Sequence, residues 1–161
     1  MKPQHEKHPY PTLTIGLQTY NRAGSGYLRE SLEAILAQTY TDFELLVLDN
    51  HSTDDTAQFV MSYKDRRLLY IRQPPNRTPA TNFNSAMWMG RGQFVLATHD
   101  DDVMEPTMVQ CMMDFLVEHP DLVCLATNVS LIDTRGAIIQ PRLYEMETDR
   151  VFAPGTYTGT Y

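Results

Sequence analysis

The chain has 161 residues and a mass of 18.5 kDa, which fits one domain or little more. Hydrophobic residues make up 42% and charged residues 20%, so intrinsic disorder is excluded as the general state. The balance of 13 basic against 20 acidic residues, a net charge of −7, argues against a surface that holds nucleic acid or anionic lipid by charge alone. No run approaches the roughly 18 apolar residues of a membrane span. The opening MKPQHEKHPYP has no apolar centre and does not read as a signal peptide. Cys111 and Cys124 lie in no CxxC pattern and read as two reduced, buried thiols of a cytosolic protein.

Residues 1–10 are polar and interrupted by proline, and are expected to form a flexible tail. Strand-like runs then alternate with helical segments. The strands are expected at Leu13–Leu17, Glu44–Leu48, Leu68–Arg72, Gln93–Thr98 and Leu122–Thr127. Leu28, Leu32, Ile35 and Leu36 give a first helix one apolar face. A second helix opens at Ser52-Thr53-Asp54-Asp55, an N-cap cluster, and carries Ala57, Val60 and Met61. A third starts at Thr78-Pro79, presents Phe83, Ala86 and Met87, and stops at Gly90 or Gly92. A fourth starts near Glu105-Pro106, presents Val109, Met112, Met113, Leu116 and Val117, and ends at His119-Pro120. The methionines at 104, 108, 112 and 113 read as core filling. A hairpin turning at Arg135-Gly136 follows, and no strong periodicity is seen from Arg142 onward. The final GTYTGTY, with no capping helix, reads as a cut through a longer protein. The alternation implies an α/β fold with βαβ units around a mainly parallel central sheet.

In such sheets ligands sit at the carboxyl ends of the strands. The residues that follow the first four strands are Gln18-Thr19-Tyr20-Asn21-Arg22, Asp49-Asn50-His51-Ser52, Gln73-Pro74-Pro75-Asn76-Arg77 and His99-Asp100-Asp101-Asp102. Three adjacent carboxylates in a cleft cannot all ionise without a cation, and Mg²⁺ or Mn²⁺ takes one or two carboxylates plus phosphate oxygens. The competing reading is a solvated acidic turn that caps the next helix. Asp49 and Asn50 either hydrogen-bond a base or ribose or form a plain Asx turn. Arg77 either meets phosphate or faces solvent. Tyr20 either stacks on a nucleobase or fills the core.

The run from Pro11 to Arg22, PTLTIGLQTYNR, resembles the opening strand of family 2 glycosyltransferases, which have the GT-A fold. So do Tyr27–Leu32 with Ile35–Tyr40 and Asp42-Phe43-Glu44, the block Asp49–Asp54, and Arg91–Val95 leading into Asp100-Asp101-Asp102, where that family has its DxD motif. The resemblance spans about residues 11–130. It departs from the family at Asn50, where many relatives have a second aspartate, at Gln18, where proline is usual, and at His99, where an acid often begins the DxD.

The resemblance implies a Rossmann-like α/β/α sandwich and a transferase that moves sugar from a UDP-, dTDP- or GDP-sugar to a glycan or lipid-linked acceptor, with inversion. Mn²⁺ or Mg²⁺ is the implied cofactor. By carry-over, Thr19 and Tyr20 line the base pocket with Asn21 beside them, Asp49 and Asn50 contact the base, and Arg77 lies beside the nucleotide. Asp100 approaches the ribose or diphosphate, and Asp101 is the main metal ligand with Asp102 near it. Residues 11–130 would then be the donor-binding domain and 131–161 a hairpin plus the incomplete start of the acceptor-binding region. The catalytic base is expected beyond residue 161, with Glu145, Glu147 and Asp149 as distant candidates. The chain by itself is expected to bind donor but to transfer sugar poorly. The implied setting is polysaccharide or cell-envelope synthesis in the cytoplasm or at the inner face of a membrane; oligomeric state is not readable. A nucleotidyltransferase lacks support because no glycine-rich, lysine-bearing loop follows the first strand. A receiver-like signalling module would place an acid pair after the first strand, where Thr19-Tyr20 stand.

Overall fold

A computed structural model describes residues 10–75 and 78–143. It divides into a compact unit that ends at Glu118 and a second unit from His119 onward. In the first unit the elements run β1 (Leu13–Thr19), α1 (Tyr27–Leu36), β2 (Phe43–Asp49), α2 (Thr56–Met61), β3 (Leu68–Arg72), α3 (Pro79–Met89), β4 (Phe94–His99) and α4 (Met108–Glu118). The four strands form one parallel sheet in the order β3-β2-β1-β4. All seven residues of β1 and of β2 are buried, as central strands covered on both faces require. The first two strands outrun their apolar cores by two and one residues because Thr19 and Asp49 are still in register as a pair.

Strand alternation sorts the side chains into two layers. Ile15, Leu17, Leu45 and Val47 meet Leu28, Leu32 and Ile35 of α1, Val60 of α2, and Val109 and Met113 of α4. On the other face Leu46 and Leu48 meet Ala86 of α3. The α/β/α sandwich is thus present. Met104 and Met113 are core residues and Met108 packs against them, so the methionine run fills the core at these positions.

The third helix begins as its sequence indicates: Thr78 is the N-cap, its hydroxyl accepts from Thr81 N at 3.2 Å, and Pro79 is the first helical residue. Its inward face is different from the expected one. Asn82, Ser85 and Ala86 are buried, whereas Phe83 and Met87 are exposed and Trp88 is 85% exposed. Gly16 explains this. A Cβ placed there would lie 2.4 Å from the Ala86 Cβ. The helix approaches the sheet so closely that only small side chains fit between them.

A buried acid ties the far end of the sheet together. Glu44 accepts from Thr14 Oγ1 at 2.7 Å and from Arg91 N at 2.6 Å, and its other oxygen takes the Arg91 guanidinium at 2.6 Å and 2.8 Å. Gly92 N donates to Thr14 Oγ1 at 2.9 Å. Burial pushes the Glu44 carboxyl up, but the hydrogen bonds from Arg91 and Thr14 outweigh it and hold the carboxyl below its ordinary value. A depressed acid contributes stability above its unfolded-state pKa and loses it as pH falls through the folded one. Glu44→Gln therefore lowers the urea midpoint at neutral pH, and its deficit against the parent shrinks as pH drops below the carboxylate range. A deficit of equal size at both ends of that range would contradict the linkage.

Two expectations fail. Residues 122–127 form no strand: a strand exists only through its ladder, and these residues pair with none among those described. The cysteines are free but exposed, not buried. Cys111 lies on α4 away from its buried positions Val109 and Met113. In the second unit β5 (Leu131–Ile132) and β6 (Ile138–Gln140) form the expected antiparallel hairpin. Gly136 turns it with φ +78°, and Asp133 Oδ1 accepts from Arg135 N and Ala137 N. Among the described residues no helix is long and apolar enough to cross a membrane.

Candidate donor site

The chain winds outward from β1 to β2 and β3, then crosses back to place β4 on the other side of β1. This reversal opens a crevice beyond the carboxyl ends of β1 and β4, the usual ligand position in an open α/β sheet. The structure brings Thr19, Tyr20, Asn21, Asp49, Asn50, Asp100, Asp101 and Asp102 to this one sheet edge. Arg77, Glu145, Glu147 and Asp149 lie outside the described residues.

The loops after β1 and β2 are latched together. Asn50 N donates to Thr19 O at 2.9 Å and Asn21 N to Ser52 Oγ at 2.8 Å. Asn21, at φ +52°, accepts from Thr53 N through its side-chain oxygen at 2.8 Å. Asparagine tolerates that left-handed conformation better than most residues. Asp49 is fully buried. One of its oxygens accepts from Ser52 N and Ser52 Oγ, and the other from the Tyr70 hydroxyl. Burial first, and then the hydrogen bond to Asp49, raises the Tyr70 phenol well above its ordinary pKa, so it stays a donor. The Asp49 carboxylate thus holds the turn after β2 through Ser52, three residues on, rather than through the i+2 bond of an Asx turn. His51, at φ +65°, turns the chain, and its Nδ1 lies 3.2 Å from Gln73 O.

Tyr20 is 54% exposed, so the core reading fails and its ring is open at the edge. Thr19 is buried, and its hydroxyl has no hydrogen-bond partner among the described residues.

Across the crevice the acidic loop meets a residue to which the sequence assigns no role. Arg22 Nε lies 3.2 Å from Asp100 Oδ1 and Arg22 Nη2 lies 3.4 Å from Asp101 Oδ2. Asp100 is buried, and its Oδ2 has no partner among the described residues. Asp101 and Asp102 are exposed. The loop is held from behind by Gln38, whose Nε2 donates to Glu105 O at 2.8 Å and whose Oε1 accepts from Val109 N at 3.0 Å. That side chain therefore caps α4 in place of a local residue. His99, the last residue of β4, stacks on Phe83 of α3 with ring centroids 6.1 Å apart. Among the described residues no three His, Cys, Asp or Glu side chains converge on one metal position. A Mg²⁺-type ion needs only one or two protein carboxylates beside phosphate oxygens, and Asp100 and Asp101, which share the Arg22 guanidinium, are oxygen donors of that kind.

A profile of the family described as Glycosyl transferase family 2 matches residues 14–159. An uncharacterised glycosyltransferase of Methanocaldococcus jannaschii is 29% identical over 133 residues, 81% of this chain and 46% of that protein. Chondroitin synthase of Escherichia coli is 30% identical over 131 residues, 80% of this chain and 19% of that protein. Among solved structures, S. aureus TarS 1-349 in complex with UDP matches with a TM-score of 0.62 at 28% identity, covering 68% of this chain and 33% of that one. The chain thus spans less than half the length of each of these relatives. The parallel sheet with flanking helices is that of GT-A glycosyltransferases. With the family profile matching nearly the whole chain, this protein belongs to glycosyl transferase family 2.

Proposed function

We propose that this chain is the donor-binding part of an inverting glycosyltransferase that takes a nucleotide-diphosphate sugar and a divalent cation, and that it serves a glycan or lipid-linked acceptor. The observation that carries the reading is the meeting of the loops after β1, β2 and β4 at the switch-point crevice, with Arg22 on one wall and Asp100 and Asp101 on the other. The relatives' names agree with it: one is a chondroitin synthase and one is solved with UDP.

In this proposal residues 11–130 bind the donor. The open ring of Tyr20 offers a flat apolar face to the base, with Thr19 and Asn21 beside it. Asp49 stands at the base end, where its carboxylate fixes the turn that presents Asn50. Arg77, outside the described residues, would lie beside the nucleotide, and Asp100 beside the ribose or diphosphate. Asp101 would hold the cation with Asp102 near it, and when bound the ion would offset the charge of the departing nucleoside diphosphate. The acceptor hydroxyl needs a carboxylate base, which we place outside the described residues. Association with a membrane face is part of the same proposal only where the acceptor is lipid-linked.

Calorimetric titration with UDP, dTDP and GDP, each with and without Mn²⁺, tests this reading. One nucleoside diphosphate is expected to bind, and to bind more tightly with the cation. Absence of binding for all three, in this chain and in a longer chain that carries it, would overturn the proposal.

A further inference from the structure

We propose that Arg22 is an exchangeable counter-ion: it holds Asp100 and Asp101 together while the crevice is empty, and its guanidinium passes to the donor diphosphate when a divalent cation takes its place on the carboxylates. The proposal rests on the donor-site reading above and adds a role for a residue outside the motif residues.

Three features of Arg22 support it. Its backbone is fixed independently of its side chain: Arg22 N donates to Thr56 Oγ1 at 2.9 Å, and Ala23 N donates to the same oxygen at 3.1 Å and to Asp54 Oδ2 at 3.1 Å. Its side chain is 36% exposed and, among the described residues, is held only by the 3.2 Å and 3.4 Å contacts to two carboxylates, longer than the 2.6–2.8 Å guanidinium contacts of Arg91 with Glu44. A tethered backbone with a loosely held head can swing without disturbing the loop. The third feature is the partner. Asp100 keeps 8% side-chain exposure and one oxygen without a partner among the described residues, so a single guanidinium leaves its hydrogen-bonding capacity half filled. A buried carboxylate that loses its counter-charge must take up a proton or another cation, so removal of the guanidinium favours a replacement ion. Arg22 supplies the only ion pairs to Asp100 and Asp101 among the described residues. The guanidinium fork matches phosphate as well as carboxylate, so it has a second site of similar chemistry once diphosphate enters the crevice.

Exchange of this kind moves two affinities in opposite directions. Removing the guanidinium vacates the carboxylates for Mn²⁺ but deletes a phosphate partner. Arg22→Gln is therefore expected to bind Mn²⁺ alone about tenfold more tightly and pyrophosphate in saturating Mn²⁺ about tenfold more weakly. Arg22→Lys falls between, since an ammonium is a point charge without the fork. Mn²⁺ binding is read by its own magnetic resonance signal and pyrophosphate binding by calorimetry, so neither readout needs sugar transfer. The thermal midpoint of Arg22→Gln should fall in metal-free buffer, where the buried Asp100 carboxylate has lost its counter-charge, and recover in saturating Mn²⁺. Unchanged Mn²⁺ affinity in Arg22→Gln, both affinities falling together, or no Mn²⁺ binding by either protein would overturn the exchange. If the parent and a longer chain that carries it bind Mn²⁺ and pyrophosphate but none of the three nucleoside diphosphates, the donor reading fails while the opposite shifts still decide the role of Arg22.

Discussion

Asp101→Ala is expected to remove the Mn²⁺-dependent part of nucleoside-diphosphate binding, on the order of a hundredfold in Kd, and to leave the fold intact. The two halves of this expectation have separate causes. Asp101 is exposed, and its one ion pair among the described residues is the 3.4 Å contact with Arg22, so its loss should shift the unfolding midpoint by no more than a surface substitution does. Yet it stands on the acidic loop with an open carboxylate toward the crevice, where a hard cation needs anionic oxygen. Asp100 differs: it is buried and held by Arg22 Nε, so its substitution disturbs the loop itself. Titrations of the parent and Asp101→Ala with the bound nucleotide, with and without Mn²⁺, separate affinity from folding when thermal melts are run beside them. An Asp101→Ala variant that keeps the full Mn²⁺ enhancement would remove Asp101 from the metal role.

The second large effect concerns stability. Gly92→Ala should cost about 2–3 kcal/mol, the upper range for overpacking. A Cβ at Gly92 would lie 2.4 Å from Thr14 N, 2.6 Å from the Leu13 carbonyl carbon and 2.9 Å from Phe94 O. All three atoms are backbone, and two belong to the central strand, so no side chain can rotate away to make room. The same residue donates to Thr14 Oγ1, next to the carboxylate that Arg91 and Thr14 share. Gly24→Ala is the matched control, since a Cβ there would meet nothing within 4 Å, and its effect should stay within about 0.5 kcal/mol. Urea denaturation of the three proteins measures both. Equal midpoints for Gly92→Ala and the parent would show that β1 and β4 can part at their start without cost.

The sheet was readable because buried parallel strands are near-continuous apolar runs, as in Leu45-Leu46-Val47-Leu48. The inward face of α3 was not, because hydrophobic spacing alone gives a helix no depth. Phe83 and Met87 stand out as apolar, but the gap above Gly16 admits only Ala86 and its small polar neighbours Asn82 and Ser85. The signal was available in Gly16 itself, since a glycine inside a strand often marks close approach of another backbone. Residues 122–127 have strand-like composition, and composition says nothing of a partner.

At the site, the convergence of the loops follows from strand order and from reading what comes after each strand. The pairing of Arg22 with Asp100 does not, because it joins residues 78 apart and depends on β4 returning beside β1. The hold of Tyr70 on Asp49 is hidden for a similar reason, since its hydroxyl reaches the carboxylate from a neighbouring strand.

The strand order also governs how the nascent chain can fold. β1 pairs with β2 across an ordinary helical crossover, but its second edge stays open until Phe94–His99 has been synthesised. During that interval a strand that is fully buried in the finished sheet presents a free ladder, the kind of edge that invites pairing with another chain. The late arrival of β4 closes it over nearly its full length, from Leu13 to Gln18, and in the same event carries the acidic loop to Arg22. Completion of the sheet and assembly of the crevice are thus one step, so slow or failed docking of β4 would yield a chain that is both prone to self-association and without its donor site.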